Sequence, residues 1–326
     1  MIISRTPLRM SFVGGGSDLP SFYRKYGGAV ISTTIDKYVY VTVNKKFDNH
    51  IRLSYSKTEE VSDVAEIGHQ LVREVLRKLK IDGGVEITSI ADIPSRGTGL
   101  GSSSSFTVGL LHALSAFNGQ YRSSENLAED SCNIEIDICG EPIGKQDQYA
   151  AAYGGLNWIR FNEDDTVTVD PIICHPGTVA QIEQGLISFY TGVTRSASEL
   201  LRKQSDILAQ DAKKQKTMKK MVDLAYDLRD ELQKNNENVF GEILHENWLL
   251  KKSLTEGVSN SIIDDWYKRA MDAGAVGGKL LGAGAGGFMI FYAPPEKHEA
   301  ISKALSDLRK IDFKFENSGS RIIFYQ

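Results

Sequence analysis

Apolar and polar residues over the first ninety positions alternate in short runs broken by turns, the pattern of strands that place one face on a core. Runs at 1–4, 10–13, 29–32, 38–44, 51–55 and 85–90 predict a sheet in the N-terminal half. Between the last two, Val64, Ile67, Leu71, Val72, Val75, Leu76 and Leu79 recur at helical spacing, which predicts a helix over 64–79 lying on one face of that sheet. A second helix is expected to open in the serine run at Ser102 and continue through Leu114, because hydroxyls cap free amides and the apolar residues that follow can bury. From about Gly177 the pattern changes. A strand-like LISFY leads into a long helical stretch over 195–235 whose polar face is dense in lysine and aspartate. Two further helical segments, a glycine loop, a strand at 288–292, a helix after Pro294 and Pro295, and strands near Phe313 and Ile322 suggest an α+β layer. The shift divides the chain into two expected domains, residues 1–176 and 177–326.

Composition narrows the classes of function. An apolar fraction of 41% and a charged fraction of 25% describe an ordinary folded chain. A net charge of −4 offers no broad positive field for nucleic acid, and the lysines at 213–220 are interspersed with acids at helical spacing, as on a solvated face. Cys132, Cys139 and Cys174 form no CxxC pair and have no histidine at zinc-ligand spacing, so neither a structural disulfide nor a zinc site is expected. The six histidines are scattered without a metal spacing. The start lacks the parts of a signal peptide, and no apolar run approaches the roughly 18 residues of a membrane span. A cytoplasmic protein, monomer or homodimer, is expected.

Three glycine-rich segments carry candidate chemistry. In 94–105, PSRGTGLGSSSS, glycines let backbone amides approach an anion, and the helix that follows adds free N–H groups and a favourable dipole. Triphosphate suits such a loop, and its serine hydroxyls suit the oxygen shell of Mg²⁺. A flexible turn ending in an ordinary N-cap is the plainer alternative. The loop has neither the Walker lysine nor GxGxxG spacing. The segment 282–287, GAGAGG, does satisfy GxGxxG, yet FMIFY after it reads as a strand where a dinucleotide fold needs a helix, which excludes a Rossmann site. In 9–18, RMSFVGGGSD, a strand and three glycines precede Asp18, which can accept hydrogen bonds from hydroxyls; a hairpin turn with an exposed aspartate fits the same residues.

In this order and at these separations, the three segments resemble the motifs of the GHMP kinases, the superfamily of galactokinase, homoserine kinase, mevalonate kinase and phosphomevalonate kinase. The resemblance spans nearly the whole chain: Pro7 to Asp18, Pro94 to Ser105 and Gly277 to Gly287. It implies an α+β, two-domain GHMP kinase fold, with an N-terminal half like ribosomal protein S5 domain 2 and a ferredoxin-like C-terminal layer. GKQDQ at 144–148 looks like the segment bearing the catalytic aspartate, here Asp147, and Glu135 lies upstream where relatives place a magnesium-binding glutamate. The interval between them is one residue longer than in mevalonate kinases. TPLRMSFVGGGSDLPSFY, with glycines where galactokinase has GEH, is most similar to the heptose 7-phosphate kinases of the superfamily.

The resemblance implies ATP and Mg²⁺ as cofactors, and transfer of the γ-phosphoryl group to the anomeric hydroxyl of a small sugar phosphate. Gly97, Gly99, Leu100, Gly101, Ser102, Ser103 and Ser104 would surround the ATP phosphates, with Ser103 and Glu135 on the metal. Asp147 would orient the attacking hydroxyl and take its proton, and Arg9 would stabilise charge on the transferred group. Gly15, Gly16 and Asp18 would hold sugar hydroxyls; of Lys145, Arg96, Arg195 and Lys279, the last two are favoured for the sugar's own phosphate. The motifs leave open a kinase for fucose, galactose or mevalonate, and a catalytically silent sugar sensor.

Overall fold

In the computed structural model, which describes residues 1–93, 97–193 and 197–326, the N-terminal alternation becomes two long antiparallel strands. β1 (Ile2–Val13) runs beside β2 (Gly28–Lys45), from Ile2 opposite Val43 to Val13 opposite Ile31, and α1 (Pro20–Tyr26) fills the connection. The runs at 1–4 and 10–13 are one strand, and so are those at 29–32 and 38–44. Pro7 lacks an N–H for the ladder and interrupts the sequence pattern, but the strand continues through a slip in register. Pro7 faces Tyr38 while Leu8 faces Ile35, so Asp36 and Lys37 bulge out of β2.

β3 (Ile51–Ser54), β4 (Thr58–Val61) and β5 (Val85–Ala91) widen this sheet, β5 lying antiparallel to β2 and parallel to β3. The helix expected over 64–79 starts late. Val64–Glu66 form a single 3₁₀ turn capped by Asp63, and α2 (Gln70–Leu79) begins only after Gly68, burying Val72, Val75, Leu76 and Leu79. α3 (Ser102–Phe117) packs on β1 and β2. α4 (Ser124–Cys132) runs into a π-helical turn, Asn133–Ile138, followed by α5 (Gln146–Tyr153); β6 (Asn157–Phe161) then pairs with the first residues of β2, and β7 (Val167–Pro171) with β6.

α6 (Pro176–Gly185) leads into β8 (Leu186–Tyr190). The described part of the helical stretch expected over 195–235 is two helices, α7 (Ala197–Gln210) and α8 (Ala212–Gln233). Asp211 leaves the helical conformation between them, and its carboxylate takes the amides of Lys213 and Lys214 to start α8. α9 (Phe240–Leu254), α10 (Ser261–Asp272), β9 (Gly277–Leu280), β10 (Phe288–Tyr292), α11 (His298–Ala304) and β11 (Arg309–Lys310) follow. A second sheet has the order β11-β8-β10-β9.

The last strands leave that layer. β12 (Phe315–Glu316) pairs with β2, and β13 (Arg321–Tyr325) covers the outer edge of β1, so the segments near 313 and 322 complete the N-terminal sheet. An uncovered edge on β1 would present unpaired backbone groups to solvent, which β13 satisfies. One apolar core continues from β1, β2 and α3 into Leu224, Phe240, Leu281 and Phe288 of the second half, so the halves meet through packed side chains. Among the described residues no helix is long and apolar enough to cross a membrane.

At the end of β1 the chain turns against β2 so closely that a β-carbon on Gly14 would lie 2.0 Å from the Ala29 carbonyl oxygen, at a φ of +83°. Gly14→Ala therefore combines left-handed strain with overpacking and is expected to cost roughly 2 kcal/mol or more. The check is a lowered urea midpoint at an unchanged m-value.

Candidate active site

The two halves enclose a cleft of about 1000 Å³, and its floor is an ion pair. Arg9, near the middle of β1, is 4% exposed; its Nε donates to Asp147 Oδ1 and its Nη2 to Oδ2, both at 2.7 Å, while Nη1 donates to the Gly99 carbonyl at 2.6 Å. Asp147 stands in the first turn of α5. This bidentate fork fixes the carboxylate plane and ties strand, helix and glycine loop together. It leaves no room above it: a β-carbon on Gly101 would lie 3.2 Å from Arg9 Cγ and 3.3 Å from Asp147 Oδ2.

Gly97, Gly99 and Gly101 have φ of 68°, 77° and 72°, a succession only glycine adopts freely. Gly101 is also the N-cap of α3. The helix starts at Ser102 as expected but not by a serine cap; glycine supplies no capping oxygen, which leaves the helix start available to an anion. Leu100 is buried, and its carbonyl accepts from Arg9 N at 3.0 Å. Ser102, Ser103 and Ser104 line the cleft.

The 282–287 loop lies against this one, backbone to backbone. A β-carbon on Gly282 would fall 2.4 Å from Gly99 Cα, and one on Gly287 would fall 2.4 Å from the Thr98 carbonyl oxygen. The loop then enters β10, where Phe288 N donates to Thr98 O at 3.2 Å. Gly282 and Gly287 thus serve close packing against the first loop, while Gly284 and Gly286 pack on the backbone at Val258 and Val193.

Two more carboxylates are buried in the walls. Asp18 Oδ1 accepts from Gly16 N at 2.9 Å and from Gln146 Nε2 at 3.0 Å, and Oδ2 accepts from Gln146 N at 3.2 Å. The Gly16 amide, expected to face a sugar, is thus already engaged by Asp18, whereas Gly15 lines the cleft. Burial, reinforced by Asp147, raises the Asp18 pKa above the ordinary carboxylate range. Glu135 sits in the π-helical turn, 1% exposed, with Oε2 accepting from Gln148 Nε2 at 2.5 Å and Oε1 3.3 Å from Ser103 Oγ. The bulged turn re-aims this side chain toward α3. Burial pushes its pKa up to about 7, against the pull of side-chain hydrogen bonds from Ser104, Gln148 and Thr107. Among the described residues no cation pairs with it.

At the far end of the cleft, Tyr55 and Phe106 flank His69, with ring centroids 4.9 and 5.4 Å from the imidazole. Val39, Leu71 and Ile93 complete an apolar wall there. The aromatics come from a loop, a helix N-cap and α3, so no run in the sequence signals them.

GHMP kinases N terminal domain matches residues 66–155, and GHMP kinases C terminal matches residues 228–311. A D-glycero-alpha-D-manno-heptose 7-phosphate kinase of Campylobacter jejuni is 30% identical over 98% of this chain and 97% of its own. The chain belongs to the GHMP kinase family. A solved D-glycero-D-manno-heptose 1-phosphate kinase from Bacteriodes thetaiotaomicron superposes over 100% of both chains with a TM-score of 0.83 at 26% identity. A galactokinase of Pyrococcus furiosus is 27% identical over 96% of this chain and 94% of its own. The α+β fold and the chemistry class expected from the motifs are those of the family: this is an ATP-dependent sugar kinase.

Of the cations expected from the sequence of this GHMP kinase, Lys279 lines the cleft. Lys145 turns to Asp165, donating to its carbonyl at 2.9 Å. Arg96 and Arg195 lie outside the described residues. Lys279, on β9, is 1% exposed, and its ammonium donates to the Ser11 and Phe12 carbonyls, each at 2.7 Å, bracing the strand below the glycine turn. Sequence reasoning missed Lys251 of α9, which is 5% exposed, lines the cleft and donates to the Gly282 carbonyl. Its signal was a lysine on the buried stripe Leu244, Asn247, Trp248, Lys251, Leu254.

Burial, with Arg9 adding to it, brings the Lys251 pKa down to about 8 from 10.5. Below pH 8 the folded and unfolded chains both carry this proton, and the full cost of a buried ammonium stands. Between 8 and 10.5 the folded chain is the first to release it, so the cost shrinks. Relative to Lys251→Met, the native chain is expected to gain about 1–3 kcal/mol of stability across that window, measured by urea unfolding at pH 7 and pH 10.5.

Proposed function

We propose that this kinase transfers the γ-phosphoryl group of ATP to the anomeric hydroxyl of D-glycero-D-manno-heptose 7-phosphate, giving the 1,7-bisphosphate for a nucleotide-activated heptose. The observation that carries the chemistry is the bidentate Arg9–Asp147 pair beneath the loop at Gly101. The acceptor is supported by the end-to-end likeness to the Campylobacter heptose 7-phosphate kinase.

In this reading the amides of Gly97, Gly99, Gly101 and Ser102, with Ser104 at the helix start, wrap the ATP phosphates, and the base rests against Tyr55, His69 and Phe106. Phosphoryl transfer asks mainly for positioning and charge stabilisation. Asp147 orients the acceptor hydroxyl and receives its proton while Arg9 holds the carboxylate plane and faces the charge on the transferred group. Glu135 and Ser103 supply hard oxygen donors that fit Mg²⁺, and a buried carboxylate lifted to about 7 with only neutral partners is a group that a divalent ion would stabilise as the anion. Magnesium, when bound there, would neutralise charge on the β- and γ-phosphates. Asp18 anchors sugar hydroxyls from the glycine turn. For the sugar's own phosphate, Lys279 keeps one of its three ammonium donors beyond the two carbonyls it already meets, and Lys251 stands beside it. Arg195 is the remaining candidate from the sequence.

The test is ATP-to-ADP turnover with Mg²⁺ against the heptose 7-phosphate, fucose, galactose and mevalonate, the product identified by phosphorus NMR. The expected result is turnover confined to the heptose phosphate with a new anomeric phosphate signal; equal or better turnover of another acceptor rejects the assignment. In Asp147→Asn, kcat is expected to fall by about 10² to 10⁴ while ATP still binds by calorimetry.

A further inference from the structure

The glycine turn after β1 is ringed by polar atoms for which the described residues supply no partner. Ser11 Oγ, Gln146 Oε1 and Gln204 Nε2 are each buried without a hydrogen bond, and all three residues line the cleft with Arg9 and Asp18. Two of them meet beside Gly15, and the third lies beside Gly16. A β-carbon on Gly15 would lie 3.3 Å from Ser11 Oγ and 3.9 Å from Gln146 Oε1; one on Gly16 would lie 2.3 Å from Gln204 Nε2. Gln204 Nε2 therefore stands where a side chain at 16 would begin, and Ser11 Oγ and Gln146 Oε1 border the space beside Gly15. Ser11 and Gln204 are 4% and 2% exposed, so bulk solvent does not readily satisfy them. Buried polar groups in native proteins nearly always have partners, and each exception asks for a reason.

Both amides are held by their surroundings. Gln146 gives its Nε2 and its backbone N to Asp18, which leaves Oε1 as the free end of a fixed side chain one residue before Asp147. Gln204 projects from α7, which packs on α1 and is pinned there by a 3.0 Å bond between Ser205 and Ser21. The set comprises one donor, one acceptor and one hydroxyl that does both. Adjacent hydroxyls on a ring match it: one, beside Gly15, donates to Gln146 Oε1 and meets Ser11 Oγ, and its neighbour, beside Gly16, accepts from Gln204 Nε2. Phosphate oxygens only accept and cannot satisfy Gln146 Oε1. A methyl group in that place satisfies none of the three.

We propose that Gln204, together with Ser11 and Gln146, is a specificity clamp that reads adjacent hydroxyls of the acceptor and selects a polyol over skeletons lacking them. The clamp rests on the sugar-kinase reading above, and it does not depend on which polyol is the substrate.

The experiment compares wild type, Gln204→Leu and Gln204→Glu on the heptose 7-phosphate, its monodeoxy analogues, galactose, fucose and mevalonate. It reads kcat, KM for acceptor and for ATP, ATP binding by calorimetry, and the melting temperature of the free protein. In wild type, one deoxy position is expected to lower kcat/KM ten-fold or more. Gln204→Leu should show a similar loss on the full acceptor and little further loss on that deoxy analogue, because both changes remove the same bond. Its ATP affinity should stay within two-fold, and its melting temperature should hold or rise, since an unpartnered buried amide has been replaced by an apolar group of similar size. Gln204→Glu, which offers acceptors where a donor is needed, should lose at least as much on the full acceptor.

Unchanged kcat/KM and unchanged deoxy penalties in Gln204→Leu overturn the clamp while heptose turnover stands. Losses equal across all acceptors, with weakened ATP binding and a lower melting temperature, overturn it in favour of a packing role. Turnover of a different polyol with a Gln204-dependent deoxy penalty rejects the heptose assignment and supports the clamp. Preference for mevalonate over every polyol rejects both.

Discussion

A guanidinium and a carboxylate facing each other on the floor of the cleft constrain everything around them. Arg9 and Asp147 come from β1 and α5, 138 positions apart, and each would be costly to bury alone. Their pairing sets the distance between strand and helix. It also demands a glycine at 101, and through Arg9 Nη1 it draws in the Gly99 carbonyl. The second glycine loop then packs on Gly99 and Thr98 without intervening side chains, and β10 and β9 carry it there. The site is thus assembled outward from one ion pair, with glycines at each surface where backbone must approach backbone.

Much of this was legible in the chain because it depends on local chemistry. Glycines at 97, 99 and 101 ahead of an apolar helix mark a turn whose amides can approach an anion, and FMIFY after 282–287 argues against a dinucleotide site. The illegible parts depend on distant residues. Pro7 reads as a strand break, yet it sits at a bulge because Asp36 and Lys37 yield in the partner strand. The serine run reads as a cap, yet the left-handed Gly101 takes that position. Lys251 and Gln204 lie on long amphipathic helices, where a polar residue inside an apolar stripe is the faint trace of a cleft on the other side. The Tyr55, His69 and Phe106 wall has no trace at all, since three separate elements supply one residue each.

Electrostatically, the cleft is a place where charges are kept close to neutrality by geometry. Asp18 and Glu135 are both raised by burial, and Lys251 and Lys279 are both lowered by it. Such groups respond strongly to the arrival of a charged ligand, because the low local dielectric that destabilises them singly also strengthens their attraction to an opposite charge. An anionic guest would meet cations whose partners among the described residues are neutral carbonyls rather than carboxylates.

The return of β13 to the outer edge of β1 bears on how the chain is made. β1 leaves the ribosome well before β13, so the strand that carries Arg9 is synthesised long before its outer edge can be closed. Until then a nascent chain exposes an unpaired edge, and the 97–101 loop lacks the 282–287 backbone that packs on it. A nascent chain that stops before that segment would therefore hold its first glycine loop without the backbone that packs on it, so the order of synthesis withholds the finished cleft until late.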